Sequence, residues 1–111
     1  MINIEGLQAR FPGRDEFIIK LFHSLLAGHS TAATDLNAAV NTEDLESIAF
    51  LAHRVKGAAG NIMAESVFAL AEKTELSAKN NEPDSMQLAS QLSEQVALLL
   101  QEIERHINLL E

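Results

Sequence analysis

The sequence LAHRVKGAAGNIMA at residues 51–64 has the apolar spacing of an α-helix. At about 100° per residue, one side of this helix and of the residues just before it collects the apolar positions. Those positions are Leu45, Ile48, Ala52, Val55, Ala59 and Ile62. His53 falls roughly 100° from Ala52, beside the apolar stripe rather than within it. We therefore predict that the stripe is buried and that the imidazole of His53 faces outward.

Two glycines lie on the His53 side of the same helix. Gly57 and Gly60 each cost about 1 kcal/mol relative to alanine in a helix interior. They either mark a helix end or a close helix crossing, or leave bare backbone beside the imidazole. Lys56, three residues from His53, favours the second interpretation, because it reaches the same patch. A neutral imidazole that is flanked by a cation and open on one side is suited to receive a phosphoryl group.

The segment resembles the signature of histidine phosphotransfer (HPt) domains of multistep two-component phosphorelays. In that signature, Ala-His-x-Leu-Lys-Gly is followed by a run of small residues and a Gly-Ala pair. The residues that match are Ala52, His53, Lys56, Gly57 and Ala64, with Val55 in the place of Leu. Met63 stands where the family usually has Gly, a departure that concerns the end of the helix rather than the chemistry. The resemblance extends in weaker form across nearly the whole chain and includes Glu75.

This resemblance implies a phosphocarrier without autokinase activity of its own. We expect His53 to accept a phosphoryl group from an aspartyl phosphate on one response-regulator receiver domain and to pass it to an aspartate on another. Lys56 is expected to stabilise charge on the transferred oxygens, and Gly57 to keep the approach to His53 open. By the resemblance, the Mg²⁺ belongs to the receiver, and the chain has no metal site or cofactor of its own. A hybrid sensor histidine kinase is another expected partner, and the chain is either a free-standing protein or a domain of such a kinase.

Length and composition suit one domain over residues 1–111, since 47% of the residues are hydrophobic and one core can be buried. The sequence has no cysteine, which fits a reducing compartment and excludes thiol catalysis, disulfides and Cys-based zinc sites. No basic leader with an apolar run and no apolar stretch near 18 residues is present. We therefore expect a cytoplasmic domain without membrane contact of its own, although a membrane-bound parent protein stays open.

The charge of the chain argues against nucleic acid as a partner. The net charge is −8, and the eight basic residues form no run. Phosphate neutralisation needs clustered lysine and arginine. The aromatic residues are five phenylalanines, with no tyrosine or tryptophan, so a base-stacking platform is not expected either.

Apolar periodicity predicts helices throughout the chain and no strand. The predicted helices cover residues 3–11, about 14–40, from a turn at 41–44 to about 62 or 63, from about 64 or 65 to 78, and about 85–110. Gly28-His29-Ser30 is a weak point in the second helix, which we predict to be continuous. The fold class is therefore all-α, an antiparallel four-helix bundle with a short additional N-terminal helix across one end. Such a bundle closes its own core, so we expect a monomer.

Periodicity also assigns the faces of the last two helices. In the helix that ends near residue 78, the side chains expected to be buried are Val67, Leu70, Ala71 and Thr74, and those expected to be exposed are Glu72, Lys73 and Glu75. The final helix repeats apolar residues at Leu88, Leu92, Val96, Leu99, Ile103 and Ile107. This long stripe has a period near 3.6 residues and predicts one buried face.

The remaining histidines and one phenylalanine need a separate interpretation. His23 and His29 have no neighbouring acid or Lys-Gly partner, so we interpret them as helix-surface or boundary residues. His106 is interpreted as a complement to the negative end of the last helix dipole. Phe50 has two open interpretations, an apolar docking patch beside His53 or burial against a neighbouring helix.

Three other functions compete with phosphotransfer as interpretations of the sequence. A histidine-kinase dimerisation domain has an acidic residue directly after its histidine and a proline a few residues on, whereas here Arg54 follows His53 and no such proline does. A carboxylate-bridged metal bundle needs Glu-x-x-His pairs, and none of the four histidines has Glu three residues before it. A plain interaction bundle, in which His53 is incidental, predicts that His53 can be replaced without consequence.

Overall fold

The computed structural model describes residues 1–111 and contains six α-helices and no β-strand. The helices are α1 (Ile4–Arg10), α2 (Asp15–His29), α3 (Ala32–Asn41), α4 (Leu45–Asn61), α5 (Glu65–Lys79) and α6 (Ser85–Leu110). The predicted all-α fold class is confirmed. None of the six helices is both long enough and apolar enough to cross a membrane.

The bundle consists of four helical segments. The first segment is made of α2 and α3 together, which both pack against α6. The other three segments are α4, α5 and α6. α4 and α5 run antiparallel, because His53 pairs with Glu75 while Gly60, further along α4, lies beside Phe68, which is earlier on α5. This antiparallel pair carries the candidate site described below.

The prediction of one continuous helix over residues 14–40 was wrong. Thr31 separates α2 from α3 with a non-helical backbone conformation (φ −101°, ψ 3°), and its hydroxyl donates to the Asp35 carboxylate at 2.9 Å. The Thr31 hydroxyl thus bonds a side chain of the first turn of α3 and does not cap the helix backbone. The Arg54 guanidinium donates to the carbonyl oxygen of Gly28 at 3.2 Å, so the end of α2 gains a partner from α4.

Three helices end at a residue in the left-handed conformation: Glu43 (φ 51°), Met63 (φ 56°) and Asn81 (φ 53°). At the end of α4, the Ala64 amide donates to the Ala59 carbonyl at 2.9 Å and the Met63 amide donates to the Gly60 carbonyl at 3.3 Å. These are the two hydrogen bonds of a Schellman motif, whose left-handed position favours glycine. Met63 therefore departs from the HPt signature at a place where glycine would remove backbone strain, remote from His53.

The predicted core stripes of α4 and α6 are confirmed, and on α5 Val67, Ala71 and Thr74 are buried as predicted while Leu70 is half-buried. On α4, Ile48, Ala52, Val55, Ala59 and Ile62 are buried and Leu45 is half-buried at the edge of the stripe. Every member of the predicted α6 stripe is buried as well. α1 buries Leu7 against the main core cluster, and the Asn3 side chain caps this helix by accepting a hydrogen bond from the Gly6 amide at 2.8 Å.

Candidate functional site

α4 begins at an acidic cap and holds His53 near its middle. The Asp44 carboxylate accepts hydrogen bonds from the Ser47 hydroxyl at 2.6 Å and from the Ser47 amide at 3.1 Å. These bonds from Ser47 hold the pKa of Asp44 below its ordinary value. Because the stripe through Ala52 turns inward, the neighbouring His53 side chain faces outward and is 66% exposed. The outward orientation predicted from helical spacing is confirmed.

Glu75 lies directly beside His53, and the prediction that its side chain is exposed was wrong. The side chain of Glu75 is only 5% exposed. Its Oε2 atom lies 3.0 Å from His53 Nδ1 and 2.9 Å from Lys79 Nζ, and its Oε1 atom lies 2.9 Å from Lys56 Nζ. A buried carboxylate is tolerated only when charged or hydrogen-bonding partners replace water. Three N–H donors supply those partners here.

The charge state of Glu75 fixes the tautomer of His53. The hydrogen bond from Lys79, opposed by burial and assisted by the hydrogen bond and charge of Lys56, lowers the pKa of Glu75 from 4.5 to about 2. The carboxylate is therefore ionised at neutral pH and can only accept hydrogen bonds. It follows that His53 donates through Nδ1. In the neutral imidazole the lone pair then resides on Nε2, which is the nucleophilic atom.

The two lysines differ in their exposure. Lys56, which the sequence singled out, is 25% exposed and engages the Oε1 atom of Glu75. Lys79 was not predicted as a site residue, and it is 59% exposed, one helical turn after Glu75 on α5. The Glu-to-Lys spacing of four residues was visible in the sequence as an ordinary helix pair. Nothing in that spacing shows that the pair lies against α4.

The two glycines on the His53 side have different surroundings. A Cβ atom added at Gly57 would meet no atom within 4 Å beyond its own helix, so the surface beside His53 is open there. A Cβ atom at Gly60 would lie 3.4 Å from the ring of Phe68 on α5, which is a close helix contact. Both interpretations of the glycines are therefore correct, each for one residue.

An open cavity of about 600 Å³ adjoins His53 and Glu75 between α4 and the end of α5. Phe50, Ala49, Ala78 and Lys79 are among its lining residues. Phe50 is 63% exposed, so its interpretation as a residue buried against a neighbouring helix was wrong. An exposed aromatic ring one turn from an exposed imidazole forms an apolar rim beside a polar centre.

The other histidines lie apart from this arrangement. His23 is exposed and its Nε2 atom lies 3.2 Å from Glu111. His29 is half-buried at the end of α2, where burial and the charge of Arg54 lower its pKa. His106 is half-buried and its Nε2 atom lies 3.4 Å from Glu102, one turn earlier on α6. None of the three shares a carboxylate with two lysines.

The comparisons with known proteins agree with this geometry. No curated protein and no solved structure gives a significant match to the chain. Residues 20–107, which hold α3 to α5 and most of α2 and α6, match the family model described as Hpt domain. Members of this family are phosphocarriers rather than enzymes, and they act in histidine phosphotransfer within two-component phosphorelays. The fold, the outward histidine and the family match together lead to one conclusion: the chain belongs to the Hpt domain family.

Proposed function

We propose that this chain relays a phosphoryl group between aspartates of response-regulator receiver domains through His53. One observation carries the proposal: Glu75 accepts a hydrogen bond from His53 Nδ1 at 3.0 Å, while 66% of the His53 side chain is exposed. The ring is thus held in one tautomer with the nucleophilic Nε2 atom available to another protein. Phosphorylation at His53 needs no dedicated base, since no proton has to leave Nε2 when Nδ1 is the protonated nitrogen.

The proposed transfer is a displacement at phosphorus. The Nε2 lone pair forms the N–P bond as the P–O bond to the receiver aspartate breaks, and the electron pair of that bond stays on the aspartate carboxylate. No proton needs to move, because Nδ1 keeps its hydrogen and donates it to Glu75. The ring gains positive charge in this step, and the ionised Glu75 stabilises that charge. Transfer to the next aspartate is the reverse reaction on a second receiver.

Two further residues have proposed roles in this step. Lys56 stabilises charge near the transferred group, and it also holds Glu75 in place through the 2.9 Å contact with Oε1. Gly57 provides access, because a larger side chain at its open position would stand between His53 and the receiver. The Mg²⁺ of the reaction is assigned to the receiver domain by the family resemblance.

The partners and setting are also part of the proposal. Phe50, exposed on the rim of the cavity beside His53, offers the receiver an apolar contact. We propose that the chain acts as a monomer in the cytoplasm, either alone or as part of a hybrid sensor histidine kinase, and that the upstream donor is a receiver domain of such a kinase. The helices of one chain enclose the main core cluster and a smaller second cluster, so no second copy is needed to complete the fold.

A panel of phosphorylated receivers tests the proposal directly. Receivers are labelled on aspartate with radioactive phosphate and mixed with the wild-type chain, with His53→Gln and with His23→Gln, the matched control at another exposed histidine. Wild type and His23→Gln are expected to take up the label as an acid-labile, base-stable adduct that maps to His53. Label on His53→Gln, or no uptake by wild type from any receiver, would refute the assignment.

A further inference from the structure

Glu75 is bound by two lysines, and the two occupy different oxygens. Lys56 contacts Oε1 at 2.9 Å, whereas Lys79 contacts Oε2 at 2.9 Å and shares that atom with His53 Nδ1. Two ammonium groups around one carboxylate leave a surplus of one positive charge beside the imidazole. The proposed phosphoryl group on His53 would bring negative charge to the same place.

Lys79 is the lysine that is free to respond to that charge. It is 59% exposed, while Lys56 is 25% exposed. Lys79 also lines the 600 Å³ cavity together with His53 and Phe50, and Lys56 does not. A lysine has a flexible four-carbon stem, and its ammonium can rotate among acceptors without a fixed geometry. A group that enters the cavity beside His53 therefore meets Lys79 first.

We propose that Lys79 is an exchangeable cation, an inference that rests on the proposed function. When Nε2 carries a phosphoryl group, the ammonium of Lys79 leaves Oε2 of Glu75 and donates to a phosphoryl oxygen. Lys56 stays on Oε1, so Glu75 remains paired and ionised. The exchange breaks one charge-assisted hydrogen bond and forms another, with no covalent change and no proton transfer.

The exchange also improves the hydrogen bond to the ring. Before transfer, Oε2 accepts hydrogen bonds from both the Lys79 ammonium and the Nδ1–H group of His53. After transfer the ring is positively charged, and Oε2 accepts a hydrogen bond from Nδ1–H alone. Hydrogen bonds in which both groups are charged are shorter and stronger than neutral ones. Lys79 thus stabilises phosphohistidine twice, by its own contact and by its departure from Oε2. Lys56 keeps its proposed role near the transferred group from Oε1 of Glu75, and Lys79 adds a direct contact with the phosphoryl oxygens.

The position of the transfer equilibrium is the sharpest test. The domain is phosphorylated with phosphoramidate, a small donor that needs no docking surface, and mixed with one receiver. The ratio of phosphohistidine to aspartyl phosphate is then read by ³¹P NMR. Because this ratio depends on the separated proteins, any contribution of Lys79 to docking cancels. Variants are Lys79→Met, Lys79→Arg and Lys73→Met, a control at an exposed lysine of α5 that has no ion pair.

Lys79→Met is expected to lower the phosphohistidine-to-aspartyl-phosphate ratio about threefold to tenfold, the range for losing a charged hydrogen bond at a partly exposed site. Lys79→Arg should restore most of the ratio, and Lys73→Met should leave it unchanged. In the unphosphorylated Lys79→Met variant, the NMR signal of His53 Nδ1–H should persist, since Lys56 still holds Glu75.

Two results would overturn the exchange. One is a ratio for Lys79→Met equal to that of Lys73→Met. The other is loss of the Nδ1–H signal in unphosphorylated Lys79→Met, which would make Lys79 a structural support for Glu75. A wild-type domain that takes no phosphoryl group on His53 from either phosphoramidate or receivers would instead overturn the proposed function, and the exchange with it.

Discussion

Replacing Glu75 by glutamine tests whether one buried carboxylate holds the site together. Glu75→Gln preserves the size of the side chain but removes the charge that Lys56, Lys79 and His53 share. The amide has one acceptor oxygen in place of two and adds two N–H donors of its own. At least one of the three neighbouring donors must then face another donor. We expect the variant to fold with lower stability and to lose the single tautomer of His53.

The expected loss of stability follows from the pKa of Glu75. The hydrogen bond from Lys79 is the largest cause of the lowering from 4.5 to about 2, and Lys56 adds to it against the opposing effect of burial. At about 1.4 kcal/mol per pKa unit, this shift sets an upper limit of about 3 kcal/mol. Lys79 is 59% exposed, so water screens its share, and the expected loss is about 1–2 kcal/mol near neutral pH.

Urea unfolding followed by far-ultraviolet circular dichroism measures this loss as a function of pH. A lowered pKa means that the folded state prefers the ionised carboxylate, so its stabilisation is complete above about pH 4.5 and disappears as the pH falls to about 2. The difference between wild type and Glu75→Gln should shrink over that interval. Glu72→Gln, at an exposed carboxylate of α5 without an ion pair, is the matched control. A difference that persists unchanged at pH 2, or an equal loss in Glu72→Gln, would refute the reasoning.

Three further predictions concern access, docking and the core. Gly57→Leu should slow transfer from a receiver by roughly 100-fold if it displaces the partner by about 1 Å, with helicity in circular dichroism unchanged or higher; an unchanged rate would contradict the access role. Phe50→Ala should raise the KM for a phosphorylated receiver about fivefold or more without altering phosphorylation by phosphoramidate, and an equal effect of Phe68→Ala, at the 37% exposed ring beside Gly60, would remove the case for Phe50. Leu92→Ala, at a fully buried position, should lower the free energy of unfolding by about 2–5 kcal/mol in urea denaturation, and a loss below 1 kcal/mol would count against the assigned core.

The bundle could be predicted from periodicity because an apolar stripe of helical spacing indicates a helix with one buried face. The stripes of α4 and α6 are buried as predicted. The break between α2 and α3 could not be predicted from the same signal, because apolar residues continue on both sides of it. There the backbone is non-helical at Thr31, and the Gly28 carbonyl at the end of α2 is bound by Arg54 of α4, a contact that exists only in the folded chain.

The candidate site was predictable only in part, and the reason is electrostatic. His53 and Lys56 lie on one helix, so their spacing places them on one patch. Glu75 and Lys79 come from another helix, and a pattern analysis places any charged residue of a helix on its solvent face. The burial of Glu75 depends on a cation supplied by α4. Only the packing of α5 against α4 brings that cation within 2.9 Å of the carboxylate.

Glu75 is the point at which the site and the bundle depend on each other. His53 and Lys79 are mostly exposed, so they contribute little to the interior, whereas Glu75 lies among the buried residues of α5. Each substitution at His53 or Lys79 removes one of the three donors to Glu75, so it should alter phosphoryl transfer with a smaller loss in the free energy of unfolding than Glu75→Gln. Substitution at Glu75 must alter both, because the carboxylate that orients the imidazole is also the buried group whose lost water is replaced by three N–H donors. We therefore expect the free energy of unfolding and the transfer rate to fall together in Glu75 variants, and transfer to be affected more than stability in His53 and Lys79 variants.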